Sequence, residues 1–155
     1  MNQRGFATIF GLCMILAIAL VVKGIQEAET NHAREVANFQ TEQALQGAAE
    51  SGIVEAAELV RETPSLLPEP DGFVNSKIKI LDTPKTFKRG GQAINISVEV
   101  WGERGNIYIN NAKKGKSGVY FMSTATTAGD WGKIYRRAYA YILKGSTAIR
   151  FMELP

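Results

Sequence analysis

The sequence predicts an α+β protein in which one long N-terminal helix, its first half transmembrane, packs by its second half on an antiparallel β-sheet. Three observations carry this. Residues 5–22 (GFATIFGLCMILAIALVV) contain no charge. From Gly24 to about Arg61 there is no proline, and helix-compatible Ala, Glu and Gln dominate. Beyond Thr63-Pro64, apolar and polar residues alternate with a period of two, most clearly from Ile94 to Val100.

The composition sets the outer limits. With 155 residues, 45% hydrophobic and 21% charged, the chain is one or at most two domains, and wholesale disorder is excluded. The single cysteine, Cys13, excludes an intrachain disulfide framework and a cysteine-based zinc cluster. His32 is the one histidine, which leaves little for His-dependent catalysis. Charge is strongly segregated. Residues 24–62 carry eight glutamates against Arg34 and Arg61, a net of −6. Residues 63–155 carry fourteen Lys/Arg against seven Asp/Glu, a net of +7.

The uncharged run of 18 residues spans about 27 Å as a helix, at the lower limit for a bilayer core of about 30 Å. Arg4 and Lys23 mark its two ends. A buried core helix apolar on every side would need a much larger protein around it. A cleaved secretory signal would have a shorter apolar region and a small-x-small site after it. Here Ala17-Ile18-Ala19 lies inside the run. A retained transmembrane anchor fits the length best, though Arg4 and Lys23 nearly balance and orient it weakly. Cys13 reads as a small apolar filler within the span, and His32 as a solvated helix residue.

In the second stretch, Leu45, Ala48, Ala49, Gly52, Ile53, Ala56 and Val60 share one face at i, i+3, i+4, i+7 spacing. Glu50, Glu55, Glu58 and Glu62 fall on the other, either as a solvated face or for charge pairing between subunits. The apolar face is small-sided, which suits close approach of a sheet. Thr63-Pro64 ends the helix. Anchor and amphipathic stretch together make one helix of roughly 55 residues, about 80 Å long.

The segment 63–72 (TPSLLPEPDG) reads as a linking loop. Strands are expected at Lys77–Leu81, Ile94–Val100, Asn106–Ile109, Val119–Thr126, Ile134–Leu143 and Ala148–Met152. Breaks are expected at Gly90-Gly91, Asn110-Asn111, Gly115, Gly118, Gly129 and Gly145. The result is a four- to six-stranded meander with one face on the helix and one partly solvated. Basic residues gather at Lys85, Lys88 and Arg89, at Lys113, Lys114 and Lys116, and at Arg136 and Arg137. They serve solubility and edge protection, or they form an electropositive surface for DNA, another anionic surface or an acidic partner. Tyr108, Tyr120, Tyr135, Tyr139 and Tyr141 read as half-buried sheet residues, with base stacking as the alternative. No metal-ligand spacing, GxSxG or phosphate loop is present, and Asp82, Glu99, Glu103 and Asp130 are scattered. No enzymatic activity and no cofactor are expected.

The opening residues narrow the reading. Met1-Asn2-Gln3-Arg4-Gly5-Phe6 is a short polar leader with one Arg, then a glycine, then a phenylalanine that begins the apolar helix. It resembles the class III leader of type IV pilins and pseudopilins. The resemblance implies cleavage by a prepilin peptidase between Gly5 and Phe6 and N-methylation of Phe6. The stretch Asn38-Phe39-Gln40-Thr41-Glu42-Gln43-Ala44-Leu45, running on to Ala48-Ala49-Glu50, is similar to the helix of PilX-type minor pilins. The likeness covers about the first 60 residues. It implies a leader at 1–5, and with the residue patterns this divides the chain into that leader, a transmembrane half-helix at 6–23, an amphipathic half-helix at 24–62 and, from the strand alternation alone, a β-rich head at 63–155. Phe10 stands where the family usually has a glutamate, which implies a tip-type rather than a shaft subunit.

The implied partners are other pilin or pseudopilin subunits, the peptidase and the inner-membrane assembly platform. The implied location is the inner membrane before assembly and a periplasmic or extracellular filament after it. Two alternatives stand beside this role: a filament-associated module whose basic head captures DNA or an anionic surface, and a plain single-pass membrane protein.

Overall fold

The computed structural model describes residues 3–69, 77–89, 92–109, 114–129 and 132–152. One helix, α1 (Gln3–Glu62), is followed by a single 3₁₀ turn at Pro64–Leu66 and five strands: β1 (Ile78–Arg89), β2 (Gln92–Ile107), β3 (Lys116–Gly129), β4 (Gly132–Leu143) and β5 (Arg150–Met152). The chain divides into two compact units, Met1–Gln40 and Thr41–Pro155. The first unit is helix alone. The second holds the last turns of α1 and the whole sheet.

In the second unit the helix–sheet packing follows from the spacing of small apolar residues. Leu45, Ala48, Ala49, Gly52, Ile53, Ala56, Ala57 and Val60 are all buried. They meet Leu81 on β1, Ile96, Val98 and Val100 on β2, Phe121 and Ala125 on β3, and Ala138 and Ala140 on β4. Period-two alternation on each strand puts these residues on one face of the sheet. The sheet is antiparallel throughout, in the order β1-β2-β3-β4-β5, so every strand pairs with its neighbours in sequence. The architecture is α+β, a long apolar N-terminal helix on a five-stranded antiparallel sheet.

Several element boundaries differ from the sequence reading. β1 runs on past Leu81 through Thr83-Pro84-Lys85 to Arg89. Pro84 is tolerated because β1 is an edge strand, with β2 its one neighbour. Asn106 and Ile107 belong to β2, which continues through Gly102 and Gly105, so no separate strand exists at 106–109. Gly102 is a point of close approach: a Cβ there would collide with the Ile80 side chain and sit 3.3 Å from Leu67. Gly118 lies within β3, where a Cβ would strike the Ile107 side chain and the Ile142 carbonyl. β5 begins at Arg150 rather than Ala148. Gly145 does break the chain: at φ +82° it takes the left-handed conformation glycine adopts without strain. Gly90-Gly91, Asn110-Asn111, Asp130 and the end of the linking loop from Pro70 lie outside the described residues.

The linking loop is less solvated than its prolines suggest. Leu67 is 1% exposed and joins the core beside Gly102. Arg104 holds the segment by donating to the Glu69 carboxylate and the Pro64 carbonyl. Within the core, Ser123 is fully buried and its Oγ has no hydrogen-bond partner among the described residues. An orphaned buried hydroxyl costs stability, so Ser123→Ala is expected to raise it by about 1 kcal/mol, read as a higher denaturation midpoint.

Candidate functional site: the apolar span and the basic positions

The first unit presents its apolar residues outward. Ile9, Ile15 and Leu20 are 66%, 69% and 68% exposed, and Phe10, Leu12, Leu16 and Ile18 are exposed as well. None of the most apolar stretch is buried within the chain, and the helix is long and apolar enough to cross a membrane. In water such a surface would be strongly unfavourable; in lipid it needs no partner, because a helix satisfies its own backbone groups. Beyond it the exposed surface becomes polar. Lys23 pairs with Glu27 at 3.9 Å, and the Thr30 hydroxyl donates to the Gln26 carbonyl at 2.8 Å. Gly5 and Phe6 lie in the first turns of α1, their side-chain surroundings outside the described residues. Cys13 is an exposed free thiol in the span. No family model, curated protein or solved structure matches this chain.

In the second unit the described basic positions are distributed over different faces. Lys85 is on the helix-facing side of β1 and donates to Glu55 Oε2 at 2.8 Å and to Ser51 Oγ at 3.3 Å. Arg136 is on the helix-facing side of β4 and bridges to Glu42 at 2.6 Å. The two cations therefore clasp the helix from opposite strands. This gives Glu42 and Glu55 partners within the chain, a pairing that the helical spacing alone could not show. Both pairs are partly solvated, so each contributes little. Lys85→Met is expected to cost under about 1 kcal/mol and to be less costly in high salt, checked by denaturation at two ionic strengths.

Lys114, Lys116 and Arg137 have no acidic partner among the described residues. The guanidinium of Arg137 lies 5.2 Å from the Tyr135 ring centre. Lys88 and Arg89 end β1, with side chains outside the described residues, and Lys113 lies outside them altogether. An open cleft of about 330 Å³ joins Lys85 to Lys133, with Thr86, Asn95 and Thr126 between them. Lys133 was not singled out by the sequence, because only the β3–β4 register shows where it falls.

One cluster was not anticipated at all. Asp82 and Glu99 stand directly opposite each other on β1 and β2. Lys79 Nζ donates to both, at 2.9 Å and 3.1 Å, and lies 5.4 Å from the Trp101 ring centre. The hydrogen bonds to Asp82 and then to Glu99 hold the Lys79 ammonium above its ordinary pKa. A raised folded-state pKa means that the contribution is complete below the ordinary lysine range and is lost as pH rises through the folded value. The arrangement neutralises two facing carboxylates that would otherwise repel across the strand pair.

Of the tyrosines, Tyr108 and Tyr135 are exposed, at 61% and 56%, while Tyr120, Tyr139 and Tyr141 are half-buried as the sequence reading held.

Proposed function

We propose that the chain is a minor pilin or pseudopilin: a structural subunit at or near the tip of a type IV pilus or type II secretion pseudopilus, where it helps to prime assembly. The observation that carries this is the pairing of a leader, Met1 to Gly5, with an uncharged helical run in which Ile9, Phe10 and Leu12 to Val22 are all exposed. An anchor that stays in the membrane after a short charged leader is cut away supplies the helix that filament subunits bundle. Phe10 in place of the family's usual glutamate supports a tip position, since a carboxylate is not there to meet the amine of a neighbouring subunit.

Peptide sequencing and intact mass of the protein from its native membrane test the reading. A terminus at N-methyl-Phe6 is the expected result, and Gly5→Leu is expected to leave the leader attached. A terminus at Met1 or Asn2 would mean a plain anchored protein, and one near Leu20 a cleaved signal peptide. Either sinks the filament reading.

A further inference from the structure

The sheet face turned away from the helix carries an aromatic and charged pattern that neither the core nor the apolar span uses. The ladder registers place these outward residues in rows across the strands. One row runs Lys79, Trp101, Met122, Tyr139, Met152 from β1 to β5. The row beside it runs Asp82, Glu99, Thr124, Arg137, and the one on the other side Glu103, Tyr120, Tyr141, Arg150. In both flanking rows the acids stand on the β1–β2 side and the bases on the β4–β5 side. β3 lies midway between β2 and β4.

We propose that this outer face pairs with the same face of a second copy of the chain, about a two-fold axis parallel to β3. A rotation about such an axis turns the face over and exchanges its β2 and β4 sides. β2 and β4 each stand about 4.8 Å from β3. Glu99 therefore meets Arg137 of the partner subunit, and Arg137 meets Glu99 of the partner subunit. In the same operation Trp101 comes over Tyr139 of the partner subunit, and Met122 over its own counterpart. Glu99 and Arg137 are thereby matched with opposite charge, and Lys79 is set over Met152 of the partner subunit. The interface is isologous, as closed two-fold dimers require. It is also an aligned sheet-on-sheet packing, with strands within about 30° of each other.

Charge complementarity singles out a second copy from other occupants. An anionic polymer would meet Glu103 and the Lys79–Asp82–Glu99 cluster, which keeps a net charge of −1, across half the face, and a cationic one would meet Arg137 and Arg150 across the other half. Only a partner with the same two-sided pattern, turned over, satisfies both. The face measures roughly 20 Å by 20 Å from strand spacing and residue rise. That is small beside the usual 800 Å² or so per partner, so the pairing is weak and reversible. It does not depend on the filament reading and stands or falls separately.

The test traps the pair. In the full-length chain in detergent, carrying Cys13→Ser, Thr124→Cys puts a thiol on the axis. A bis-maleimide with a reach of about 8 Å spans the gap between sheets stacked about 10 Å apart. Thr86→Cys on β1 is the control, since two-strand displacement on each copy separates those thiols by about 19 Å. Thr124→Cys is expected to give cross-linked dimer about tenfold above Thr86→Cys. Glu99→Arg is expected to lower that yield about tenfold, and Glu99→Arg with Arg137→Glu to restore it, with far-UV circular dichroism unchanged. Equal cross-linking at 86 and 124, or none above control at 124, overturns the proposal whatever the charge variants do. Loss in Glu99→Arg without recovery in the folded double variant overturns the two-fold register.

Discussion

Gly52→Val is expected to unfold the C-terminal unit or to lower its denaturation midpoint further than Gly52→Ala does. A Cβ at position 52 would lie 2.6 Å from Val98 Cγ1, 3.1 Å from Val100 Cγ2 and 3.3 Å from Ser123 Oγ. Val98 and Val100 are both 0% exposed, so neither can swing into solvent to make room. Overpacking of this kind costs about 1–3 kcal/mol, and valine adds two further carbons where even the first does not fit. Against that stands the helix preference for alanine-like residues over glycine, about 1 kcal/mol at most. The steric term wins. Gly47 supplies the internal contrast, for a Cβ there meets nothing within 4 Å. Gly47→Ala should therefore stabilise by about 0.5–1 kcal/mol, while Gly52→Ala destabilises. Opposite signs for the same chemical change, measured by urea denaturation of the chain in detergent, check the close-approach account. Equal signs would refute it.

Phe121→Ala is expected to have an effect of similar size for the opposite physical reason. Phe121 is the largest of the fully buried side chains, on the central strand β3 and 2% exposed. Truncation of such a residue typically costs about 3–5 kcal/mol, from lost transfer energy and from the cavity left behind. Much of the helix side of this core is small, with Ala48, Ala49, Gly52, Ala56 and Ala57 beside the larger Leu45, Ile53 and Val60, so few atoms are at hand to fill a void. Domains of this size hold about 5–15 kcal/mol in total, so the loss is a large fraction of the whole. Phe151, 46% exposed on β5, is the comparison: its replacement by alanine should cost under about 1 kcal/mol. A Phe121→Ala midpoint no lower than that of Phe151→Ala would contradict the burial argument.

The sequence was most readable where one periodicity decided the matter. The buried helix face from Leu45 to Val60 followed from 3.6-residue spacing, and the Ile94–Val100 segment of β2 from strict alternation. It was least readable where long-range packing overrode a local signal. Gly102 and Gly118 resemble turn residues, yet they are where Ile80, Leu67 and Ile107 come close to the backbone. Pro84 resembles a strand terminator, and position at the sheet edge removes its penalty. Leu67 sat between prolines in a loop; its burial shows only when Gly102 is placed beside it. Among the basic positions, charge was visible but direction was not. The strand register turns Lys85 and Arg136 toward Glu55 and Glu42, and it turns Arg137, next to Arg136 in sequence, to the opposite face. The Lys79 cluster needed the bulge between Lys79 and Leu81, which no pattern in β1 announces.

Consecutive strand order also governs how the protein is made. Each hairpin closes a short loop, so the sheet can zip up strand by strand as the chain emerges, the kind of local topology that folds fast. The helix face cannot finish so early. Leu45 and Ala56 await Phe121 and Ala125 on β3 and Ala138 and Ala140 on β4, all synthesised after most of the chain is out. Throughout that interval a stripe of alanine, leucine and isoleucine stands uncovered on the helix. Newly made chains are most vulnerable to mutual adhesion or proteolysis in this window. A ribosome stalled before Ala138 would hold a helix still lacking the cover that Ala138 and Ala140 supply.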